Sequence, residues 1–154
     1  MPGENLDHPF VYTLTMDEVR GDDTSLNNEF GMILRFNSQV KNGKPLITFY
    51  TFEVVNKKGG QYQFWKYDNS QGGSADPWKQ LASHPFGSEF HQGQGAANSN
   101  TFKILVNGKS FTLIVNGKQV WSVQDSSLVS GQVGMLVNLK GTEVAFSNLR
   151  LTLS

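Results

Sequence analysis

The sequence predicts an all-β protein: a two-sheet antiparallel sandwich of jelly-roll type with about ten short strands. Runs rich in aromatic and β-branched residues recur at short spacing along its 154 residues, and turn residues, including many of the 16 glycines, separate these runs. In addition, Val-Asn-Gly-Lys occurs at 106–109 and again at 115–118. Asn-Gly between alternating apolar residues favours a tight hairpin turn, so these features together predict two packed sheets of short strands.

Each predicted strand is a run of alternating or β-rich residues that ends at a turn signal. In the loop at 56–60, Gly59 and Gly60 stand where a hairpin needs positive φ. The segment 84–100 is a long loop rich in Gly, Gln, Asn and Ser, and only 17–20 and 124–129 could hold a helical turn. The predicted strands are 10–16, 29–36, 47–55, 61–67, 78–83, 101–106, 110–115, 119–123, 132–138 and 143–153.

The repeated Asn-Gly pairs give the sharpest local prediction. Asn107-Gly108 and Asn116-Gly117 both suit type I′ turns, in which two consecutive residues have positive φ. The spacing of nine residues is that of a hairpin and not that of a repeat protein. A tight three-stranded meander is therefore predicted over 101–123.

Composition excludes several classes of function. The 13 basic and 13 acidic side chains balance, so no overall field attracts a polyanion, and a nucleic-acid partner is not expected. The absence of cysteine removes thiol catalysis, thiolate zinc sites and disulfide scaffolds. No apolar run is long enough to insert into a membrane.

We expect one jelly-roll domain at 10–154, preceded by a lead-in or linker at 1–9. The segment 1–8 lacks the basic and apolar regions of a signal peptide. The chain therefore resembles an excised domain of a larger exported or surface protein, which predicts an extracellular or cell-surface location. The oligomeric state stays open.

Several segments resemble the concanavalin A-like lectin/glucanase superfamily. They are 30–36, 100–106, 111–117, 131–134 and 144–149. The chain is most similar to the laminin G-like jelly rolls of bacterial extracellular proteins and of carbohydrate-binding modules, including fructan-binding ones. The resemblance covers roughly 10–153. It implies two curved sheets with a ligand held on the concave sheet or at its rim, and a short strand before residue 10 that pairs with the last strand.

Strand alternation predicts a candidate binding surface. If the strands at 29–36, 47–55 and 61–67 are neighbours, the residues that point away from the core lie on one face. An indole covers the apolar face of a sugar ring, while polar groups hydrogen-bond its hydroxyls. The predicted ligand-binding residues are Arg35, Thr51, Glu53, Gln63 and Trp65.

A second interpretation of the same residues requires no ligand. Arg35 and Glu53 would then form a cross-strand ion pair, with Trp65 packed over the arginine stem. Trp78 and Trp121 are interpreted as core anchors, although Trp78 could instead line a loop at the rim.

The sequence also bears on catalysis and on metals. Glycosidases of the superfamily carry alternating carboxylates on one strand, whereas only Glu53 and Glu143 stand well inside predicted strands here, so an enzyme is not favoured. No cofactor is required. The oxygen-rich segment 21–29 is a candidate calcium site, with Asp22, Asp23 and Asn27 as ligands of the ion. The alternative there is an Asx-rich turn without an ion.

Three hypotheses follow. The first is a non-catalytic carbohydrate-binding or ligand-recognition module, whose partner is an oligosaccharide or polysaccharide. The second is an enzyme acting on a saccharide with Glu53 among its acids. The third is a structural or protein-interaction domain without a small ligand. A groove lined by Trp65 favours the first hypothesis, and a flat, filled surface favours the third.

Overall fold

The computed structural model describes residues 5–154 as ten β-strands and one short 3-10 turn at Ala96–Asn98. The strands form two antiparallel five-stranded sheets, ordered β10-β1-β6-β7-β8 and β5-β4-β3-β2-β9. The strands are β1 Phe10–Arg20, β2 Glu29–Lys41, β3 Lys44–Val55, β4 Gln61–Asp68, β5 Trp78–Pro85, β6 Asn100–Asn107, β7 Ser110–Val115, β8 Lys118–Gln124, β9 Gln132–Val137 and β10 Glu143–Leu153. The predicted two-sheet sandwich is confirmed.

The core lies between the sheets because apolar side chains alternate with polar ones along the strands. In β6 every second residue is buried, and the same alternation runs along β1 and β7. Aromatic rings fill the centre: the ring of Phe111 lies 5.1 Å from that of Tyr50 and 5.2 Å from that of Phe64. Alternation therefore determines which face of each sheet packs in the core and which face can contact a ligand.

The Asn-Gly turns differ from one another. At Asn116-Gly117 both residues have positive φ, 51° and 85°, as a type I′ turn requires. At the first repeat only Gly108 has positive φ, and Asn107 pairs with Ser110 as part of the ladder. The type I′ prediction is confirmed at the second repeat and wrong at the first, where the strand continues one residue further.

Neither predicted helical turn forms. Residues 17–20 extend β1 because they pair with β10 up to Arg20. Residues 125–131 run without helix between β8 and β9. The lead-in is partly described: Leu6 is buried in the core and exchanges two backbone hydrogen bonds with Gly131. In the described part of the lead-in, Leu6 thus pairs with Gly131, and the carbonyl oxygen of Pro9 accepts a hydrogen bond from the backbone N–H of Ser154, just after the last strand. No helix among the described residues is long and apolar enough to cross a membrane.

A polar cluster is buried at one end of β1. Glu18 is 2% exposed and accepts hydrogen bonds from the side-chain amides of Asn28 and Asn56. Burial raises the pKa of Glu18 to about 7, and the neighbouring Asp23 carboxyl adds to this effect. A Cβ on Gly21 would lie 2.2 Å from Glu18 Oε1, so a larger residue here would have to displace this carboxyl.

The long loop after β5 is held by Glu89. Its Oε2 accepts hydrogen bonds from the hydroxyl of Tyr62 at 2.8 Å and from the backbone N–H of Gly87 at 2.7 Å. Lys118 Nζ lies 3.6 Å from the other carboxylate oxygen, and the Glu89 side chain is only 6% exposed. These partners hold the pKa of Glu89 below its usual value despite its burial. The loop is therefore tied to both sheets through one carboxylate.

We expect Glu89→Ala to lower the free energy of unfolding by about 1–3 kcal/mol, because the Tyr62 hydroxyl loses its acceptor. Glu89→Gln keeps an acceptor oxygen and should lose less. Urea unfolding measures the difference, and limited proteolysis should cut the loop at 86–99 faster in Glu89→Ala. Equal stability of the two variants would contradict this role.

Candidate functional site

A cleft of about 270 Å³ opens on the outer face of the sheet β5-β4-β3-β2-β9. Its volume lies just below the range of about 300–1,000 Å³ that is usual for small-molecule sites. The lining residues come from four neighbouring strands and from the loops at their ends. They are Asn27, Glu29, Glu53, Trp65, Asp76, Trp78 and Asn138.

Glu53 is the most buried of the polar side chains in this cleft. It stands in β3 opposite Gly31 of β2, and it is 4% exposed. Its Oε2 accepts a hydrogen bond from the Thr51 hydroxyl at 2.8 Å. A Cβ on Gly31 would lie 1.9 Å from the carbonyl oxygen of Phe52, so glycine allows the two strands to approach closely here. The position of the carboxyl is therefore set by both neighbours in the sheet.

Burial changes the protonation of both glutamates in the cleft. Desolvation raises the pKa of Glu53 to about 7, opposed by the hydrogen bond from Thr51 and increased by the charge of Glu29. Burial also raises the pKa of Glu29, which is half-buried at the start of β2. The amide of Asn138 lies 3.4 Å from Glu29 Oε2. A carboxyl with a pKa near neutrality in a cleft is a common property of functional sites.

Two indoles form the aromatic wall. Trp65 of β4 and Trp78 of β5 meet edge to face, with ring centroids 6.2 Å apart and planes at 90°. Trp65 Nε1 donates a hydrogen bond to Gln63 Oε1 at 2.8 Å, which fixes the tilt of the indole. Trp78 is 38% exposed. The wall thus combines one oriented ring with one accessible ring.

The wall is supported by further rings on the same face. Trp78 packs edge to face against Tyr67 at 5.0 Å and against Phe49 at 5.6 Å. Phe49 and Tyr67 stack at 5.0 Å, and Phe36 lies beyond them at 5.8 Å from Phe49. Trp78 is held by this cluster at the sheet surface. The interpretation of Trp78 as a core anchor is therefore wrong, and the alternative placement at the rim is correct.

The predicted binding residues separate into three groups. Glu53 and Trp65 line the cleft. Thr51 and Gln63 share their face but serve as hydrogen-bond partners of these two side chains, and neither lines the cleft. Arg35 lies elsewhere, so its placement on the common surface is wrong.

Arg35 is displaced by a bulge in β2. The register with both neighbouring strands shifts near this residue, and its φ is 53°. The guanidinium points between the sheets, 5.0 Å over the ring of Phe111, and donates hydrogen bonds to the carbonyl oxygens of Leu128 and Gly108 at 2.8 and 2.6 Å. The ion pair with Glu53 that the second interpretation requires does not form, because the alternation in β2 is broken before Arg35.

We expect Arg35→Lys to lower the free energy of unfolding by about 1–3 kcal/mol, because an ammonium group cannot reach both carbonyls in this forked geometry. Ligand affinity at the cleft should stay unchanged, since Arg35 does not line it. Urea unfolding and calorimetric titration on the same sample measure both quantities. An affinity loss without a stability loss would contradict this placement.

Sequence reasoning missed four lining residues, namely Glu29, Asp76, Trp78 and Asn138, with Trp78 considered only as an alternative. Glu29 could have been predicted from the sequence, because alternation in β2 places it on the same face as Gly31. Asp76 accepts a hydrogen bond from the backbone N–H of Trp78 at 3.0 Å, which is an Asx turn before a strand. Asn138 follows β9, and nothing local indicates that β9 pairs with β2.

The segment predicted to bind calcium forms a hydrogen-bonded turn. Asp22 Oδ1 accepts from the backbone N–H of Thr24 at 3.0 Å, as in the Asx-rich alternative. Asp23 Oδ1 accepts from the amides of Asn28 and Gln94, and Asn27 lines the cleft. Across residues 5–154, no three carboxylate or imidazole side chains cluster closely enough to hold one metal ion. Calcium binding stays a prediction, and a thermal-shift titration with calcium against chelator tests it.

No known family model matches this chain, and no curated protein sequence matches it. Solved structures match it in fold. The carbohydrate-binding module CBM66 from Bacillus subtilis has a TM-score of 0.67 at 17% identity, over 97% of this chain and 77% of the module. A double variant of human galectin-16 has a TM-score of 0.55 at 8% identity, over 100% of this chain and 97% of the galectin. Sheep galectin-11, in complex with glycerol, has a TM-score of 0.51 at 9% identity, over 98% of each chain.

These matches define a class of fold. At such low identity they establish architecture and nothing about the ligand of this chain. The neighbours are jelly-roll sandwiches, so the fold that the resemblance implies is confirmed. Within that class, this chain is an all-β jelly-roll sandwich with an aromatic and acidic cleft on the outer face of one sheet.

Proposed function

We propose that the protein is a non-catalytic carbohydrate-binding module and that its ligand occupies the cleft of Glu53 and Trp65. One observation carries the proposal: an oriented indole stands in the same cleft as a buried carboxyl, on the face of the sheet that does not contribute to the core. The fold neighbour CBM66, a carbohydrate-binding module, supports saccharides as the class of ligand.

In the proposed mechanism the ligand makes two kinds of contact, stacking on an indole and hydrogen bonding to polar side chains. The face of Trp65 or Trp78 covers the apolar C–H face of a sugar ring, which removes apolar surface from water. Glu53 accepts hydrogen bonds from ring hydroxyls, and the exposed amides of Asn27 and Asn138 provide further polar contacts at the rim. Thr51 and Gln63 are positioning residues, because they orient Glu53 and Trp65.

We further propose membership of the laminin G-like branch of the concanavalin A-like superfamily. In this proposal the domain belongs to a larger exported or surface protein and acts outside the cell. A saccharide partner and the outer-face cleft are consistent with that setting.

A binding screen tests the proposal. The purified protein is applied to an array of oligosaccharides and polysaccharides, and each hit is titrated by calorimetry. We expect at least one hit that soluble oligosaccharide competes away. An array without any hit would contradict carbohydrate binding and favour a protein-interaction domain.

The pKa of Glu53 favours a second candidate function, an enzyme acting on a saccharide. A glutamic acid with a pKa of about 7 is suited to general acid catalysis, and Glu29 provides a second carboxyl in the same cleft. This candidate requires release of product from oligosaccharides. Release that disappears in Glu53→Gln would support it, and inert protein over a broad substrate panel would exclude it.

A further inference from the structure

All the ionisable side chains that line the cleft are acidic. Three carboxyls line it, those of Glu29, Glu53 and Asp76, and its remaining lining residues are two amides and two indoles. No lysine, arginine or histidine is among these residues. A ligand with a carboxylate, sulfate or phosphate group would meet acidic groups without a compensating cation, so the cleft discriminates against acidic saccharides.

The two carboxyl oxygens of Glu53 differ in their hydrogen-bond partners. Thr51 donates to Oε2, whereas Oε1 accepts no hydrogen bond from residues 5–154. Although Glu53 is only 4% exposed, Oε1 is not among the buried atoms that lack a partner, so this oxygen reaches the opening of the cleft. A ligand in the cleft can therefore donate to Oε1 in place of water, and a charged donor forms the stronger hydrogen bond with a carboxylate.

The indoles favour an organic cation over a metal ion. An ammonium group is attracted to the face of a tryptophan ring, and the effect grows when the site is partly desolvated. Ions such as calcium and magnesium prefer oxygen ligands and gain nothing comparable from an indole. The two rings at 90° beside Glu53 present a concave aromatic corner to such a group.

Resting on the proposed function, we propose that the cleft selects amino-sugar saccharides, that is, glycans with a free ammonium group, over their neutral and acidic counterparts. The sugar ring packs against the Trp65 and Trp78 wall, and the ammonium group donates to Glu53 Oε1. Glu29 and Asp76 add long-range attraction at the two ends of the cleft. This selection depends on charge and not on the carbon skeleton of the sugar.

Two matched probes test this selection. Glucosamine oligomers and N-acetylglucosamine oligomers of equal length share a backbone and differ by acetylation of the amine. Calorimetric titration near pH 7, where Glu53 can ionise and the amine still binds a proton, should give about tenfold or more tighter binding of the glucosamine oligomer. Binding should weaken with added salt, because the attraction is between charges.

Variants separate the local contact from general charge. Glu53→Gln should abolish most of the preference for the amine, because a neutral amide replaces the carboxylate at the same position. Glu143→Gln is the matched control: it removes an exposed carboxylate from β10 in the other sheet and should keep the preference. Circular dichroism of each variant confirms that the sandwich is folded.

The outcomes distinguish the two proposals. Equal or tighter binding of the N-acetylated or an acidic oligomer would overturn the inference and leave carbohydrate binding intact. Equal loss of preference in Glu53→Gln and Glu143→Gln would also overturn it, because the effect would then come from net charge. If no saccharide binds at all, carbohydrate binding itself fails.

Discussion

Replacing Trp65 with alanine is expected to lower saccharide affinity about tenfold or more, which corresponds to ~1.4 kcal/mol. The indole is the one ring of the cleft whose tilt is set by a hydrogen bond, from its Nε1 to Gln63, so its face is preorganised for a ligand. Alanine removes both the apolar contact area and the wall against which Trp78 packs. Calorimetric titration of wild type and variant against the best array hit measures the loss.

Trp121→Phe is the matched control for this loss. Trp121 lies in β8 of the other sheet and packs edge to face against Phe52 at 5.7 Å, so it contributes to the core and not to the cleft. We expect this variant to lose stability while keeping its affinity, and Trp65→Ala to show the larger affinity loss. Unchanged binding by Trp65→Ala would exclude the cleft as the binding site, even if the protein binds sugar elsewhere.

The fold was predictable because its main determinants are local. Period-two alternation places apolar residues on one face of a strand, and Asn-Gly pairs mark hairpins, so all ten strands were expected near their observed positions. Strand ends were less predictable. The continuation of β1 to Arg20 depends on its pairing with β10, more than a hundred residues away. Residues 17–20 therefore form part of a β-ladder with β10 instead of a helical turn.

The candidate site was predictable where alternation holds and unpredictable where it breaks. Glu53 and Trp65 follow from the alternating side-chain directions of β3 and β4, whose pairing runs without a register shift. Arg35 does not, because the bulge in β2 turns its side chain toward Phe111. Asn138 reaches the cleft only because β9 joins the sheet beside β2, a pairing that leaves no signal in neighbouring residues.

The stability of the protein is expected to fall as the pH rises from about 4.5 to about 7. Two buried carboxyls are the main cause. The pKa values of Glu18 and Glu53 are raised from 4.5 to about 7 in the folded chain by desolvation. Below the lower value both groups are neutral in either state, and folding has no ionisation cost. In the window between the two values the unfolded chain binds fewer protons than the folded chain, so stability decreases with pH, by about 1–3 kcal/mol per group.

Carboxyls with lowered pKa values do not mask this effect. The folded-state pKa values of Glu89 and Asp125 lie below their ordinary values of 4.5 and 3.8, so their contribution to stability is lost only as the pH falls below that range. Measurements at and above about pH 4.5 therefore report mainly on Glu18, Glu53 and Glu29, whose pKa burial also raises.

Glu53→Gln isolates one of these contributions. The amide oxygen can still accept from the Thr51 hydroxyl, and the variant has no proton to lose. We expect urea unfolding at a series of pH values to show a smaller fall for Glu53→Gln than for wild type, with the rest due to Glu18 and Glu29. The exposed carboxylate of Glu143 provides the control, and Glu143→Gln should keep the full fall. A wild-type stability that rises through this window, or an unchanged fall in Glu53→Gln, would mean that Glu53 is ionised in the folded protein at acidic pH. The cleft would then contain a permanent negative charge at the bottom of its aromatic wall.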